Sequence, residues 1–199
     1  MKHEPGSSTM LAMSAVLDYP RKYPISAEEY LRMGAAGVFA PEARLELIEG
    51  EIIEMAPIHP PRSGRVKKLL RLFVQRAGDR AIVSVQDPLI VSGHSVPQPD
   101  LALLRPRADD YTESHPNASD VFLVVEVADT TLAFDLKKKV PLYARCGIPE
   151  AWVVDVNAQR IHIFRGPREG GYREGIAAGI GQVAECSALR AGRRLEAAE

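Results

Sequence analysis

The chain has 199 residues, of which 46% are hydrophobic and 26% are charged, and its formal net charge is −1. This composition excludes a disordered chain and allows one domain with a full hydrophobic core. Two cysteines cannot form a disulfide framework, and the longest apolar runs are far shorter than the roughly 20 residues that cross a bilayer, so we expect a cytoplasmic protein without membrane contact. A net charge near zero also argues against a nucleic-acid partner, because such proteins usually carry a basic excess.

The expected organisation is a single folded domain, 23–190, between two terminal segments. Residues 1–22 mix Gly, Ser and Pro without periodicity, which is typical of a flexible start. Residues 191–199 form a short C-terminal tail that contains mainly Ala, Arg and Glu. The elements of secondary structure are therefore expected between these two segments.

The first predicted helix begins at Ser26, because Ser26 and Glu29 have the spacing of a capping box. Residues 45–56 predict two short strands joined at Glu49-Gly50, where glycine supplies the positive φ of a tight hairpin turn. In 63–77, apolar residues recur at i, i+3, i+4, i+7, i+8 and i+11, which predicts an amphipathic helix.

Three further apolar runs, each bounded by Pro, Gly, Asn or Asp, predict β-strands. They are 81–91, 101–104 and 122–128. The last is apolar except at Glu126, so we expect it to be buried on both faces at the centre of a sheet. A helix over 132–146, ended by Gly147, and a strand pair, 151–156 and 161–165, complete the pattern. The predicted fold class is α/β, with a central mixed β-sheet flanked by helices.

Two carboxylates stand where local patterning alone does not put them. A glutamate inside an aliphatic strand, as Glu126 is, costs several kcal/mol unless it is paired, protonated or bound to a metal. Asp100 follows Pro99 and leads directly into the strand 101–104. Carboxylates on neighbouring strands suit Mg²⁺ or Mn²⁺, whereas a buried ion pair for Glu126 and a simple turn at Asp100 are the structural alternatives.

A lysine on the following helix is the third candidate. Of the three lysines in 137–139, the first two are expected on a solvated face, but Lys139 has apolar neighbours at i−3, i+1 and i+4. Its amine is therefore placed to reach Glu126. Pro141 lacks a backbone N–H, so we expect the helix to bend there or to begin only near Lys138.

Several motifs between Tyr23 and Tyr172, in order and at matching spacing, resemble the Uma2 family of restriction endonucleases in the PD-(D/E)xK superfamily. They are ELIEGEIIEM at 46–55, QPD at 98–100, VVEVAD at 124–129, Asp135 with Lys139 and Leu142-Tyr143, and GIPEAWVVD at 147–155. The resemblance implies a restriction-endonuclease-like core.

The resemblance also implies roles for individual residues. Asp100 is then the Asp of the Pro-Asp motif and Glu126 the second metal-binding acid, with the backbone carbonyl of Val127 as a further ligand of Mg²⁺ or Mn²⁺. The superfamily usually has its lysine two residues after that acid, where this chain has Ala128. Lys139 matches the position to which this family moves the lysine.

The resemblance also bears on Glu46 and on position 62. Glu46 is an accessory acid by resemblance, although the other glutamates of its hairpin make that segment acidic without any catalytic need. Arg62 stands at the start of the basic helix, where the family often has a histidine, so no role is assigned to a histidine here. His59 lies three residues earlier.

By resemblance, the expected function is a metal-dependent endonuclease that hydrolyses phosphodiester bonds in nucleic acid, with DNA as the expected substrate and a homodimer as the expected assembly. Two alternatives stay open. One is a nucleic-acid-binding or regulatory protein that keeps the fold without turnover, and the other is a structural protein in which Glu126 and Lys139 form a buried ion pair.

The near-zero net charge conceals two segments of opposite charge. Residues 62–80 contain seven basic residues and one acidic residue, whereas 28–54 contain seven acidic and two basic residues. A basic helix of this kind can bind a phosphate backbone, with Arg62, Arg65 and Lys68 as the candidate contacts. The alternative is an ordinary solvated helix face.

Overall fold

The structure, a computed structural model, describes residues 20–179 and 186–189. It has a mixed α/β fold, in which two short helices flank a π turn in the segment 132–145. In chain order the elements are α1 (Ala27–Ala35), β1 (Leu45–Ile48), β2 (Glu51–Glu54), α2 (Pro60–Ala77), β3 (Ile82–Ser84), β4 (Leu101–Leu104), β5 (Val121–Ala128), α3 (Leu132–Phe134), the π turn (Asp135–Lys139), α4 (Val140–Arg145), β6 (Glu150–Asp155), β7 (Arg160–Arg168) and β8 (Gly171–Gly179).

Six strands form one mixed sheet in the order β3-β4-β5-β6-β7-β8. Every neighbouring pair is antiparallel except β5 and β6, which are parallel and are connected through the helical segment 132–145. All eight residues of β5 are buried, so the predicted central strand is confirmed. The predicted α/β class with a mixed sheet and flanking helices is confirmed as well.

The two faces of the sheet are covered by different helices. On one face, Val66, Leu69 and Phe73 of α2 join the core that contains Trp152, whose ring lies 5.7 Å from that of Phe73. On the other face, the helical segment 132–145 contributes Leu142 and Tyr143 to a second core. The helical segment 132–145 also contains Lys139, which therefore lies on the same face of the sheet as Glu126.

Three elements differ from the sequence-based expectation. The predicted strand 81–91 is paired in the sheet only as β3, since Gln86 has a positive φ of 56° and Pro88 has no N–H to donate. Helix α2 begins at Pro60 rather than at residue 63, because proline at the first helical positions already has the required φ. Strand β8 was not predicted, since its largely exposed, glycine-containing sequence has little apolar alternation.

Some expectations fall outside the described residues. Residues 1–19 of the predicted N-terminal segment and the whole predicted tail, 191–199, are among them, so the boundaries of the domain 23–190 stay predictions. In the part of the chain that the structure describes, no helix is long and apolar enough to cross a membrane.

The hairpin β1–β2 is attached to the domain by backbone contacts on two sides. Glu49 and Gly50 both have positive φ, as a tight hairpin turn requires, and a Cβ on Gly50 would lie 2.8 Å from that of Pro24. Leu47 exchanges backbone hydrogen bonds with Val96, in the loop that leads into β4. The hairpin therefore lies beside the start of β4.

Helix α1 packs against this hairpin and begins with the predicted capping box. The Oγ of Ser26 accepts a hydrogen bond from the N–H of Glu29 at 3.2 Å, and the Glu29 carboxylate accepts one from the N–H of Ser26 at 2.8 Å. These two bonds satisfy backbone donors that the first turn of a helix otherwise leaves unpaired.

We expect the substitution Ser26→Ala to lower the free energy of unfolding by about 1 kcal/mol, because it removes the side-chain acceptor of the capping box. Urea denaturation followed by circular dichroism measures the change. Ser114→Ala, in an exposed loop, is the matched control and should have little effect. Equal stabilities of the two variants would contradict the prediction.

Candidate active site

Seven polar side chains are buried beside the ends of β4 and β5. They come from the hairpin, α2, the two strands and the helical segment 132–145, and we call them the buried polar cluster. They belong to Glu46, Arg62, Asp100, Glu126, Asp135, Lys139 and Tyr143, and each of these residues as a whole is at most 5% exposed. A buried group of this kind requires pairing among its members, because unpaired charges inside a protein are very costly.

Asp100 is held at the start of β4 by donors from three directions. Its Oδ2 accepts a hydrogen bond from the N–H of Val127 at 2.8 Å, and its Oδ1 accepts one from the side-chain amide of Gln86 at 3.0 Å. The guanidinium of Arg62 lies against both oxygens, with Nη2 at 3.0 and 2.9 Å and Nε 3.3 Å from Oδ2. The carboxylate is therefore fixed in position and neutralised by one cation.

The backbone of β5 presents an oxygen to the same place. In a strand, the N–H and C=O of one residue point to the same side, and successive residues point to opposite sides. The N–H of Val127 points to Asp100, whereas the carbonyl of Ala128 accepts a hydrogen bond from Val156 beyond β6. The carbonyl of Val127 therefore points to the side of the strand on which Asp100 lies.

Glu126 shares one ammonium group with Glu46. The Nζ of Lys139 lies 3.2 Å from Oε1 of Glu126 and 2.9 Å from Oε1 of Glu46. The hydroxyl of Tyr143 donates to the same Oε1 of Glu126 at 2.6 Å. The expected contact between Lys139 and Glu126 is thus present, and a glutamate from the hairpin joins it.

A π turn gives Lys139 its inward direction. The N–H of Val140 bonds to the carbonyl of Asp135, five residues earlier, which widens the helix by one residue directly before Pro141. The helical segment begins at Leu132 and continues through Pro141, so the expected start near Lys138 is wrong, and the π turn is the irregularity that precedes the proline. Asp135, Lys139 and Tyr143 follow at steps of four residues and all face the sheet.

The cluster carries an excess of negative charge when its groups are ionised, with four carboxylates against two cations. Burial raises the pKa of Glu46, Glu126 and Asp135 despite the neighbouring Lys139. Burial alone would lower the pKa of Lys139, but the Glu126 and Glu46 carboxylates outweigh it and raise that pKa, so the amine stays protonated. Half-buried Arg44 interacts with the cluster from its edge. The excess of negative charge favours the binding of protons or of a further cation.

Comparison with known proteins identifies the family. The family model Uma2, described as "Putative restriction endonuclease", matches residues 27–198. This chain belongs to the Uma2 family. Among solved structures, it is similar to one described as "a putative nuclease belonging to DUF820" from Anabaena variabilis, with a TM-score of 0.60 and 17% identity over 77% of this chain and 84% of that chain. That similarity supports the restriction-endonuclease-like fold, and no curated protein matches the sequence.

The donor atoms of this Uma2 chain fit a hard divalent cation. Asp100, Glu126 and the Val127 carbonyl supply oxygen only, which is the donor set that Mg²⁺ and Mn²⁺ prefer. In 20–179 and 186–189, no three His, Cys, Asp or Glu side chains are arranged to hold a metal, so water would complete the coordination. One buried acceptor also lacks a partner: Glu46 Oε2 lies 2.8 Å from the Lys139 amine but accepts no hydrogen bond of good geometry from the described chain.

The Uma2 motifs thus bring together Glu46, Asp100, Glu126 and Lys139, but the surface position expected for Arg62 is wrong. Arg62 was expected on a basic surface, whereas its side chain is buried against Asp100 because it lies on the inward side of the first turn of α2. The other two candidates stay near the surface. Half-exposed Arg65 bonds to Gln159, and Lys68 is exposed.

Three members of the site were missed by sequence reasoning. Asp135 belongs to a motif of the resemblance but has no predicted role, although it stands four residues before Lys139 in a helix. Tyr143 is predicted only as an apolar neighbour of Lys139, and its hydroxyl contact to Glu126 is visible only in three dimensions. Gln86 gave no signal at all, because it reaches Asp100 from an irregular segment after β3.

We expect Lys139→Met to lower the free energy of unfolding by about 3–5 kcal/mol, because it leaves Glu46 and Glu126 buried without their cation. Lys138→Met removes the same group from an exposed neighbour and should change stability by less than about 0.5 kcal/mol. Urea denaturation at neutral pH and without metal measures both changes. Similar losses in the two variants would contradict the proposed importance of the buried amine.

Proposed function

We propose that this Uma2 chain is a metal-dependent endonuclease that hydrolyses phosphodiester bonds in nucleic acid, with DNA as its substrate. The observation that carries the proposal is the convergence of Asp100, Glu126 and Lys139 in one buried cluster with an excess of negative charge. Family membership supports a nuclease. Metal dependence and the choice of DNA belong to the proposal.

Two carboxylates and one carbonyl would hold the cofactor. In this proposal Asp100, Glu126 and the Val127 carbonyl bind Mg²⁺ or Mn²⁺. A divalent ion at such a site polarises a phosphoryl oxygen and lowers the pKa of water. The hydrogen bonds from Val127 and Gln86 fix the Asp100 carboxylate before any ligand arrives. Tyr143 does the same for Glu126.

Lys139 would act as a fixed positive charge. Its amine is protonated, since the surrounding carboxylates raise its pKa, so it is unsuited to accept a proton from water. We assign it to the negative charge that develops on the phosphate as a water oxygen bonds to phosphorus and the leaving oxygen departs. Glu46 is then a positioning residue, because it holds the other side of the same ammonium.

Helix α2 would guide the nucleic-acid backbone toward the cluster. Its first turn contributes Arg62 to the cluster, and its outer face continues with basic side chains at or near the surface. They are Arg65, Lys67, Lys68, Arg71 and Arg76. Basic groups along one helix attract phosphates whatever the sequence of the nucleic acid. We assign Arg65 and Lys68 to this contact.

A second candidate function is a binding or regulatory protein that keeps the nuclease fold without turnover. The observation that favours it is the pairing within the cluster, where Arg62 neutralises Asp100 and Lys139 lies between Glu46 and Glu126. Metal-dependent stabilisation and cleavage distinguish the two functions. The homodimer and the cytoplasmic location stay predictions.

We expect Asp100→Asn, Glu126→Gln and Lys139→Met each to reduce Mg²⁺-dependent cleavage of duplex DNA by at least about a hundredfold. Mn²⁺ should raise the Tm of the unsubstituted protein by mass action, and Asp100→Asn should abolish that rise. Glu54→Gln, in the exposed part of the hairpin, is the matched loss of one carboxylate and should retain both properties.

Cleavage is measured on a denaturing gel, and circular dichroism establishes that each variant is folded. No cleavage by the unsubstituted protein with Mg²⁺ or Mn²⁺, combined with a normal rise in Tm, would favour the binding protein. If the protein neither cleaves DNA nor gains Tm with metal, the cluster consists of structural ion pairs and both functions are wrong.

We expect Arg65→Gln and Lys68→Gln each to weaken DNA binding whatever the DNA sequence. Each should also make the negative slope of log affinity against log salt concentration less steep by about one. Lys137→Gln removes one exposed charge from another helix and should leave the slope unchanged. Fluorescence anisotropy over a series of salt concentrations measures all three. Identical slopes would mean that α2 presents only a solvated face.

A further inference from the structure

Arg62 forms an ion pair with Asp100, the carboxylate that the proposed function assigns as a metal ligand. Two of its nitrogens, Nε and Nη2, lie 2.9–3.3 Å from the oxygens of Asp100. Its side chain is 7% exposed and that of Asp100 is fully buried. Burial opposes the charged form of Arg62, but Asp100 outweighs it and raises the pKa of the guanidinium. The guanidinium therefore keeps its charge, and the pair is shielded from solvent.

A guanidinium and a divalent cation are poor neighbours on one carboxylate. Like charges at hydrogen-bond distance repel strongly where little water screens them. Asp100 does not depend on Arg62 for its position, because the Val127 N–H and the Gln86 amide remain as donors. Arg62 can therefore leave without disordering the carboxylate, provided that another anion takes its charge.

Phosphate is the anion that this guanidinium suits best. Arginine presents a planar set of donors that matches the oxygens of a phosphate, and its charge persists at any accessible pH. Arg62 lies at the start of α2, beside Arg65, on the helix assigned to the nucleic-acid backbone. A phosphodiester that reaches the cluster along α2 therefore meets Arg62.

We infer that Arg62 is the internal counterion of Asp100 in the metal-free chain, and that it exchanges Asp100 for a substrate phosphate when the metal binds. The inference rests on the proposed function and extends it to the order of assembly. No covalent bond changes in this exchange, in which one ion pair is replaced by two. Metal and nucleic acid then each bind more tightly in the presence of the other, as reciprocal coupling requires.

The test measures binding rather than turnover. Isothermal titration with Ca²⁺ gives the metal affinity with and without a short DNA duplex, and anisotropy gives the DNA affinity with Ca²⁺ and with EDTA. A denaturing gel establishes that the duplex stays intact. For the unsubstituted protein we expect each ligand to increase the affinity of the other by at least about fivefold.

Arg62→Gln should change this pattern in two ways. Without DNA it should bind Ca²⁺ more tightly than the unsubstituted protein, because no cation competes for Asp100, and the coupling between Ca²⁺ and DNA should be lost. Arg173→Gln removes one exposed charge from β8, away from the buried polar cluster and α2, and should keep both the original metal affinity and the coupling. A purely structural ion pair would not make the coupling depend on Arg62.

Arg62→Lys is the variant to test if Arg62→Gln does not fold because it has lost the positive charge. A lysine still competes for Asp100 but lacks the paired donors that match a phosphate, so the metal affinity without DNA should stay near its original value while the coupling decreases. Unchanged coupling in Arg62→Gln, or in Arg62→Lys where the glutamine variant is unfolded, would overturn the inference.

The failure of the proposed function has a different signature. If Asp100→Asn binds Ca²⁺ as well as the unsubstituted protein does, Asp100 is not a metal ligand and both proposals fail. If metal binding and cleavage depend on Asp100 while metal and DNA bind independently, only the exchange at Arg62 is wrong.

Discussion

One buried ammonium group holds three parts of the fold together. The Nζ of Lys139 contacts the carboxylates of Glu46 and Glu126, so it joins the hairpin β1–β2, the central strand β5 and the helical segment 132–145. All three residues are at most 2% exposed. Charges at this depth are tolerated only while each has a partner, so the position of the hairpin and the direction of the helix are constrained by the same group.

The lysine that contacts Glu126 comes from the helical segment 132–145 and not from β5, and this placement has a physical reason. Ala128 stands where the lysine of the strand is expected, and it is fully buried against Val140 and Val153. A lysine there would need the space through which the helical segment approaches the sheet. The small alanine permits that approach, and the π turn before Pro141 then directs the long side chain of Lys139 back to Glu126. The ammonium of Lys139 therefore contacts Glu126 from the helical segment and not from β5.

Most helices, strands and turns of this fold could be predicted from the sequence, because they depend on residues close to one another along the chain. The capping box, the Glu49-Gly50 turn, the apolar central strand and the stop at Gly147 depend on neighbours in sequence. The π turn, strand β8 and the contact of Arg62 with Asp100 do not. Arg62 belongs to a run of basic residues whose other members face outward, and only the docking of α2 decides which of them is buried.

The distribution of charge explains how a nearly neutral chain can still attract both a cation and a polyanion. Two exposed acidic residues of the hairpin are paired, Glu51 with Lys22 and Glu49 with Arg145, which reduces their repulsion of a phosphate backbone. The buried polar cluster instead contains four carboxyl groups against two cations, and screening by salt is weak there. Helix α2 carries the positive charge on its surface and reaches that cluster at its first turn. In the proposed function, the carboxylates of the cluster therefore attract a divalent cation at short range, and the surface of α2 attracts a phosphate backbone at long range. Arg62 belongs to α2 and contacts Asp100, so it lies between the two proposed binding sites.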